Sequence, residues 1–193
     1  MALIVVIAGL IGMRYAKMMI TDFTDNKAAP LPVSQMPPAE MEKVQARVDA
    51  FREDLRAKRP TQPLTLTADE INALITTEPD LRPLKDKLYV TIDGNQLKGQ
   101  VSVPMDEVGL PVFKGRYLNG TGTFNLALRN GLLRLTAESI VVKGKPVPDV
   151  YMQKIRTQNL VRNINSDPRA SIALGHFQDI EVKDGKLVLV PKQ

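Results

Sequence analysis

The chain has no cysteine, no tryptophan and a single histidine. Without cysteine there is no disulfide framework, thiolate metal site, cysteine nucleophile or lipid-modified cysteine anchor. Aromatics make up only 5% of the residues, so any core must be aliphatic. Neither sign of charge is in large excess. From Thr21 onward, 24 Lys and Arg stand against 21 Asp and Glu. That near balance, with no run alternating basic and aromatic residues, argues against a nucleic-acid partner. No serine sits in a G-x-S-x-G turn, and the scattered glycines form no phosphate loop. His176, with no clustered acid pair, is a poor metal ligand and reads as structural. Most acids carry local duties at turns or helix starts, among them Asp69, Glu70, Asp93, Asp149, Asp167 and Asp184. The expectation is a non-enzyme with no catalytic residue, no metal and no cofactor.

Long apolar runs are also scarce, and the one present stands at the start. From Ala2 to Met13 there is no charge and no strong hydrogen-bonding side chain. As a helix this run spans about 18 Å, short of the roughly 20 residues that a bilayer core needs. Extension to Ile20 supplies the length and brings in Arg14, Tyr15 and Lys17, which suit a membrane interface. A cleaved signal peptide needs a basic leader and a small-x-small site, and neither is present. A buried strand or helix of a soluble protein is the third reading. The anchor fits best, so residues 1–20 are expected to form a membrane helix. Arg14 and Lys17 follow the apolar run, and the positive-inside rule alone would place the domain in the cytoplasm.

Residues 21–38, with Pro30, Pro32, Pro37 and Pro38, read as an extended tether. Residues 39–193 then form one domain. In 39–58, Met41, Val44, Val48, Phe51 and Leu55 recur at helical spacing. The stripe suits a surface helix on its own domain, or else a dimer seam. The core domain, 64–193, opens with Thr67-Ala-Asp-Glu70, a capping box before a helix through Ile71, Leu74 and Ile75. Strand alternation comes next, with turns expected at Asp93-Gly94, Asn130-Gly131 and Asp184-Gly185. In the second hairpin the inward set is Phe124, Leu126, Leu128, then Leu133, Leu135, Ala137, Ser139 and Val141. One helix is expected from Asp149 to Asn165 and another from Asp167 to Leu174, capped by Ser166. The fold class is α+β, an antiparallel sheet of consecutive hairpins whose apolar face is covered by helices.

Two groups of residues are candidates for function. Phe124, Leu126, Leu128, Leu133 and Leu135 on the sheet, with Ile155 on the facing helix, would line a site for an apolar ligand. Phe113, Lys114, Arg116 and Tyr117 combine apolar and basic character in a connection, and with Arg14 and Lys17 would touch a membrane. The plain alternative is a connection whose Phe113 and Tyr117 enter the core.

The plan resembles the YpmS-like family of small bacterial membrane-anchored proteins and, more distantly, TULIP-like lipid-binding domains. The likeness rests on the apolar start, the helix around Leu66-Thr-Ala-Asp-Glu-Ile-Asn72, and the Asp93-Gly94 hairpin. Asn119-Gly-Thr-Gly-Thr-Phe124 and Ser139 to Pro148 complete it. The short anchor and the helix 39–58 depart from that pattern. The resemblance implies a single-pass protein of the cell membrane with an extracytoplasmic domain, against the charge rule. Its partners would be the membrane and a lipid. An envelope protein, bound by a scaffold, is the alternative.

Overall fold

The computed structural model describes residues 21–108 and 111–192. The expected membrane helix, 1–20, lies outside the described residues. Pro38 starts helix α1 (Pro38–Arg56), where a missing N–H costs nothing in the first turn. Strand β1 (Leu64–Thr67) leads into α2 (Ala68–Thr77). The capping box is formed in full: Glu70 N–H donates to Thr67 Oγ1, and the Glu70 carboxylate accepts from Thr67 N–H. Pro79 and Pro83 hold the next segment to a 3-10 helix (Pro79–Leu84). Then come β2 (Leu88–Asp93), β3 (Gln96–Pro104), β4 (Tyr117–Arg129), β5 (Leu132–Val142) and β6 (Lys145–Pro146). Helices α3 (Asp149–Thr157), α4 (Arg162–Ser166) and α5 (Pro168–Leu174) precede the closing hairpin of β7 (Phe177–Lys183) and β8 (Lys186–Pro191).

The eight strands form one open antiparallel sheet, in the order β1-β8-β7-β4-β3-β2, with β5 also on β4 and β6 on β5. The expected α+β class holds. Strand β4 is the spine. Along one flank it pairs β5 from residue 120 to 129. Along the other it pairs β3 from 117 to 124 and then β7 at Ala127. Two hairpin tips meet where β3 gives way to β7: Gly185 N–H donates to Gly94 C=O (2.8 Å), and Asp184 N–H to Asn95 Oδ1 (3.1 Å). The turns Asn130-Gly131, Lys143-Gly144 and Asp184-Gly185 each have two consecutive positive φ values, as two-residue turns that match strand twist require. In the first hairpin the turn residues are Gly94 and Asn95, one position later than Asp93-Gly94, because Asp93 pairs with Gln96.

The apolar stripe of α1 packs on its own domain. Met41, Val44, Val48 and Phe51 are buried with Leu64, Leu66, Ala73 and Leu74, and the Phe51 and Phe177 rings stack at 6.1 Å. The surface-helix reading therefore holds. A second cluster sets Leu174 of α5 against Leu128 and Ile180.

Two further expectations are corrected. The helix from Asp149 to Asn165 is broken at Gln158, whose backbone is extended. The break lets Asn159 and Asn165 turn their side chains onto the free flank of β5. Asn159 Oδ1 accepts from Leu135 N–H (3.0 Å), Asn165 Oδ1 from Leu133 N–H (3.0 Å), and both amides donate to Leu133 C=O. The cap of α5 is Asp167, not Ser166. Its carboxylate accepts from Arg169 and Ala170 N–H, ahead of Pro168 in the first turn. Strand β1 pairs with β8, the last strand of the chain.

Asn72 serves β2 as those asparagines serve β5. Its amide donates to Val90 C=O (2.7 Å) and its oxygen accepts from Val90 N–H (2.8 Å), at 4% exposure. Asn72→Ala leaves two buried backbone groups unpaired and is expected to cost about 2–4 kcal/mol, read from urea or thermal midpoints. A neutral Asn72→Ala variant would show that the edge is not held this way.

Glu70 links the capping box to α1. Arg47 of α1 donates to Glu70 Oε1 (2.7 Å) and to Thr65 C=O. Burial pushes the Glu70 carboxyl up, but the Thr67 N–H and the Arg47 guanidinium outweigh it and leave the group below the ordinary carboxylate range. A carboxyl depressed in the folded state stabilises fully above its unfolded value, and that stability is lost as pH falls through the folded value. Unfolding midpoints should therefore fall as pH drops from about 5 to about 3. Glu70→Gln should flatten that slope.

Candidate functional site

The apolar face of β2 to β5 is set by register. Leu97 pairs with Phe124, Val101 with Gly120, and Val103 with Leu118. Leu126 pairs with Leu135 and Leu128 with Leu133. Paired residues share a face, so the five expected sheet residues do lie on one side. The far part of β5 differs from the expectation. Thr123 pairs with Ser139 but Phe124 with Ala137, so Glu138 is an extra residue, a β-bulge. Beyond it the inward set changes parity. Ile140 and Val142 face the same way as Gly122 and Gly120, whereas Ser139 is exposed.

Phe124 lies in a trough made by absent side chains. A Cβ on Gly122 would fall 2.5 Å from Phe124 Cζ, and one on Gly99 would fall 3.3 Å from its Cε2. The two glycines are opposite each other in the β3–β4 pair, and the ring lies across them. Leu88 closes on the same spot: its Cδ1 stands 3.4 Å from the Gly99 position. Phe124, Leu126, Leu133, Leu135 and Ile155 are half-buried. Leu128 differs. It is buried beneath Leu174 and Ile180 and is core rather than wall. Helix α3 lies along β5, with Met152 fully buried.

The expected membrane-contact residues separate. Arg14 and Lys17 lie outside the described residues. Lys114 is exposed and Phe113 is half-buried. Arg116 and Tyr117 are taken up by the segment expected to be a tether. Asp25 and Tyr117 exchange both backbone hydrogen bonds at 2.8 Å. Arg116 donates to Thr24 Oγ1, to Thr24 C=O (2.8 Å) and to Asn26 Oδ1 (2.8 Å). Asn119 donates to Asp25 Oδ2 and Lys27 C=O, and its oxygen accepts from Ala29 N–H and Ser102 Oγ. Lys143 reaches Thr21 C=O (2.9 Å) and Asp25 (3.3 Å). The segment is not an extended tether throughout: Thr21 to Phe23 are helical, Pro38 already belongs to α1, and the stretch between is strapped to the sheet. It covers Ser102, which is only 2% exposed although it stands on the polar face.

Beyond the latch, the strap bounds a cleft of about 310 Å³ with Asn72, Ile75, Leu88 and Tyr89. Sequence reasoning missed the latch, although one signal was present: Asn is disfavoured inside strands, and Asn119 stands inside one. His176 lies at the junction of α5 and β7, where its backbone N–H donates to Ala173 C=O and its C=O accepts from Lys192. Among the described residues, no three His, Asp or Glu side chains are grouped to hold a metal ion. Among them, too, no helix is long and apolar enough to cross a membrane. No protein-family model, no curated protein and no solved structure matches this chain.

The glycine positions can be ranked. A Cβ on Gly120 meets the Val141 backbone oxygen at 2.7 Å, which cannot yield. On Gly122 it meets mainly the end of the Phe124 ring, which can turn away. Gly120→Ala should cost about 2–3 kcal/mol and Gly122→Ala about 1 kcal/mol. Adding Phe124→Leu should relieve Gly122→Ala but not Gly120→Ala. Denaturant titration of the four variants tests the order.

Proposed function

We propose that this chain is a membrane-tethered, non-enzymatic binding domain of the cell envelope, with its globular part extracytoplasmic. Its ligand is a lipid or another apolar molecule held against the sheet. The observation that carries this reading is the row of half-buried apolar side chains on one sheet face, Phe124, Leu126, Leu133 and Leu135, with Ile155. Leu126 and Leu133 border the cluster of Leu128, Leu174 and Ile180, and the row runs on from there to Leu135 and Phe124. A face of this kind offers burial to an acyl chain and little polar recognition.

The alternative is an envelope scaffold that binds another protein. It draws support from exposed Leu132, Leu160 and Ile172. The apolar stripe of α1 no longer serves it, being spent on the domain's own core.

The test is photo-crosslinking of the full-length chain with diazirine fatty acids of increasing length. Adducts are expected on the β4–β5 face and α3. Affinity should rise by roughly 0.8 kcal/mol, about fourfold, per buried methylene until the site is filled. Labelling without length dependence, or confined to Leu132, Leu160 and Ile172, would reject the lipid reading and favour the scaffold.

A further inference from the structure

We infer that the domain rests directly on the bilayer surface, through the end at which Thr21 enters it, rather than swinging on a tether. The inference rests on the anchor reading of residues 1–20. An unattached 18-residue segment, 21–38, would reach up to about 60 Å when extended. The latch removes that reach. Thr24 and Asp25 are already bound to Arg116, Tyr117 and Asn119. Only Thr21, Asp22 and Phe23 separate residue 20 from this attachment, and they are helical, a span of about 5 Å. Even Thr21 is held, by Lys143.

Several parts of the fold meet at this end. Tyr117 begins β4 and Lys143-Gly144 turns β5 into β6, while α3 starts farther in, where Val147 N–H donates to Ile140 C=O and Arg156 joins Asp149 to Glu138 C=O. The opposite end carries the Asn130-Gly131 turn, about 40 Å away along β4. Between this end and the middle of β5 stand side chains that an interface takes. Val150 is 71% exposed and Tyr151 44%, in the first turn of α3. Lys114, in the connection from β3 to β4, and Lys145, in β6, are exposed as well. Two of the acids at this end are paired, Asp25 with Lys143 and Asp149 with Arg156. Asp106 accepts from Gly115 N–H. With Asp22 also here, local charge is nearly balanced, so the partner is a lipid surface as such and not an anionic lipid in particular. Val150 and Tyr151 supply apolar contact, and the lysines reach headgroups of either kind.

The absence of cysteine makes the test clean, because a single introduced thiol carries the only label. Full-length Lys145→Cys and Leu132→Cys chains are labelled with a fluorophore and reconstituted into phosphatidylcholine vesicles containing a nitroxide-headgroup lipid. The label at 145 should be quenched several-fold more than the label at 132. Adding Arg116→Ala and Asn119→Ala should bring the two closer together. If the latch variant does not fold, the comparison of 145 with 132 in the otherwise native chain still decides. Equal quenching at both positions in chains that float with the vesicles overturns the docked orientation and leaves the anchor standing. Chains that stay behind in the buffer overturn both.

Discussion

An open sheet leaves backbone N–H and C=O groups unpaired along its flanks, and this fold is organised around satisfying them. Burying such a group without a partner costs more than most side-chain contacts return. The chain answers with asparagine, whose amide carries one donor side and one acceptor side, as a peptide group does. Asn72 stands in for a strand beside β2, and Asn159 and Asn165 do so beside β5. These contacts place α2 at one flank and the broken helix α3–α4 at the other.

The same residue type holds the strap. Asn119 uses its oxygen twice and its amide twice, joining Ser102, Ala29, Asp25 and Lys27. With Arg116 and Lys143 it turns a proline-rich segment into a fixed part of the sheet's polar face. This explains why Ser102, polar and on the outward side of its strand, is among the most buried residues. It also sets where the chain toward residue 20 leaves the domain, which gives the proposed membrane contact its direction.

The apolar face owes its shape to what is missing from it. Gly99 and Gly122 make the bed for Phe124, and the bulge at Glu138 rotates the end of β5 so that Ile140 and Val142 join that face. The side chains left half-buried form the surface on which the ligand reading depends. Leu128, two residues from Leu126 on the same face, is instead closed off by α5. Membership of a face and membership of a site are thus different properties.

Sequence alone determined whatever is local. The capping box at Thr67 and Glu70, the glycine turns, the stripe of α1 and strand alternation all depend on neighbours within a few residues. The spacing of Met41, Val44, Val48 and Phe51 showed a buried stripe, but only its packing on Leu64, Leu66 and Leu74 decided what buries it. Tertiary structure decided whatever needs a distant partner. The pairing of β1 with β8 joins residues more than a hundred apart. The break at Gln158 and the latch from Arg116 to Thr24 come from side chains bonding to backbone or side chains far off in sequence. The bulge at Glu138 was illegible for a related reason. Alternation in one strand is read against a perfect two-residue period, and only the register of its partner reveals where one residue is left over.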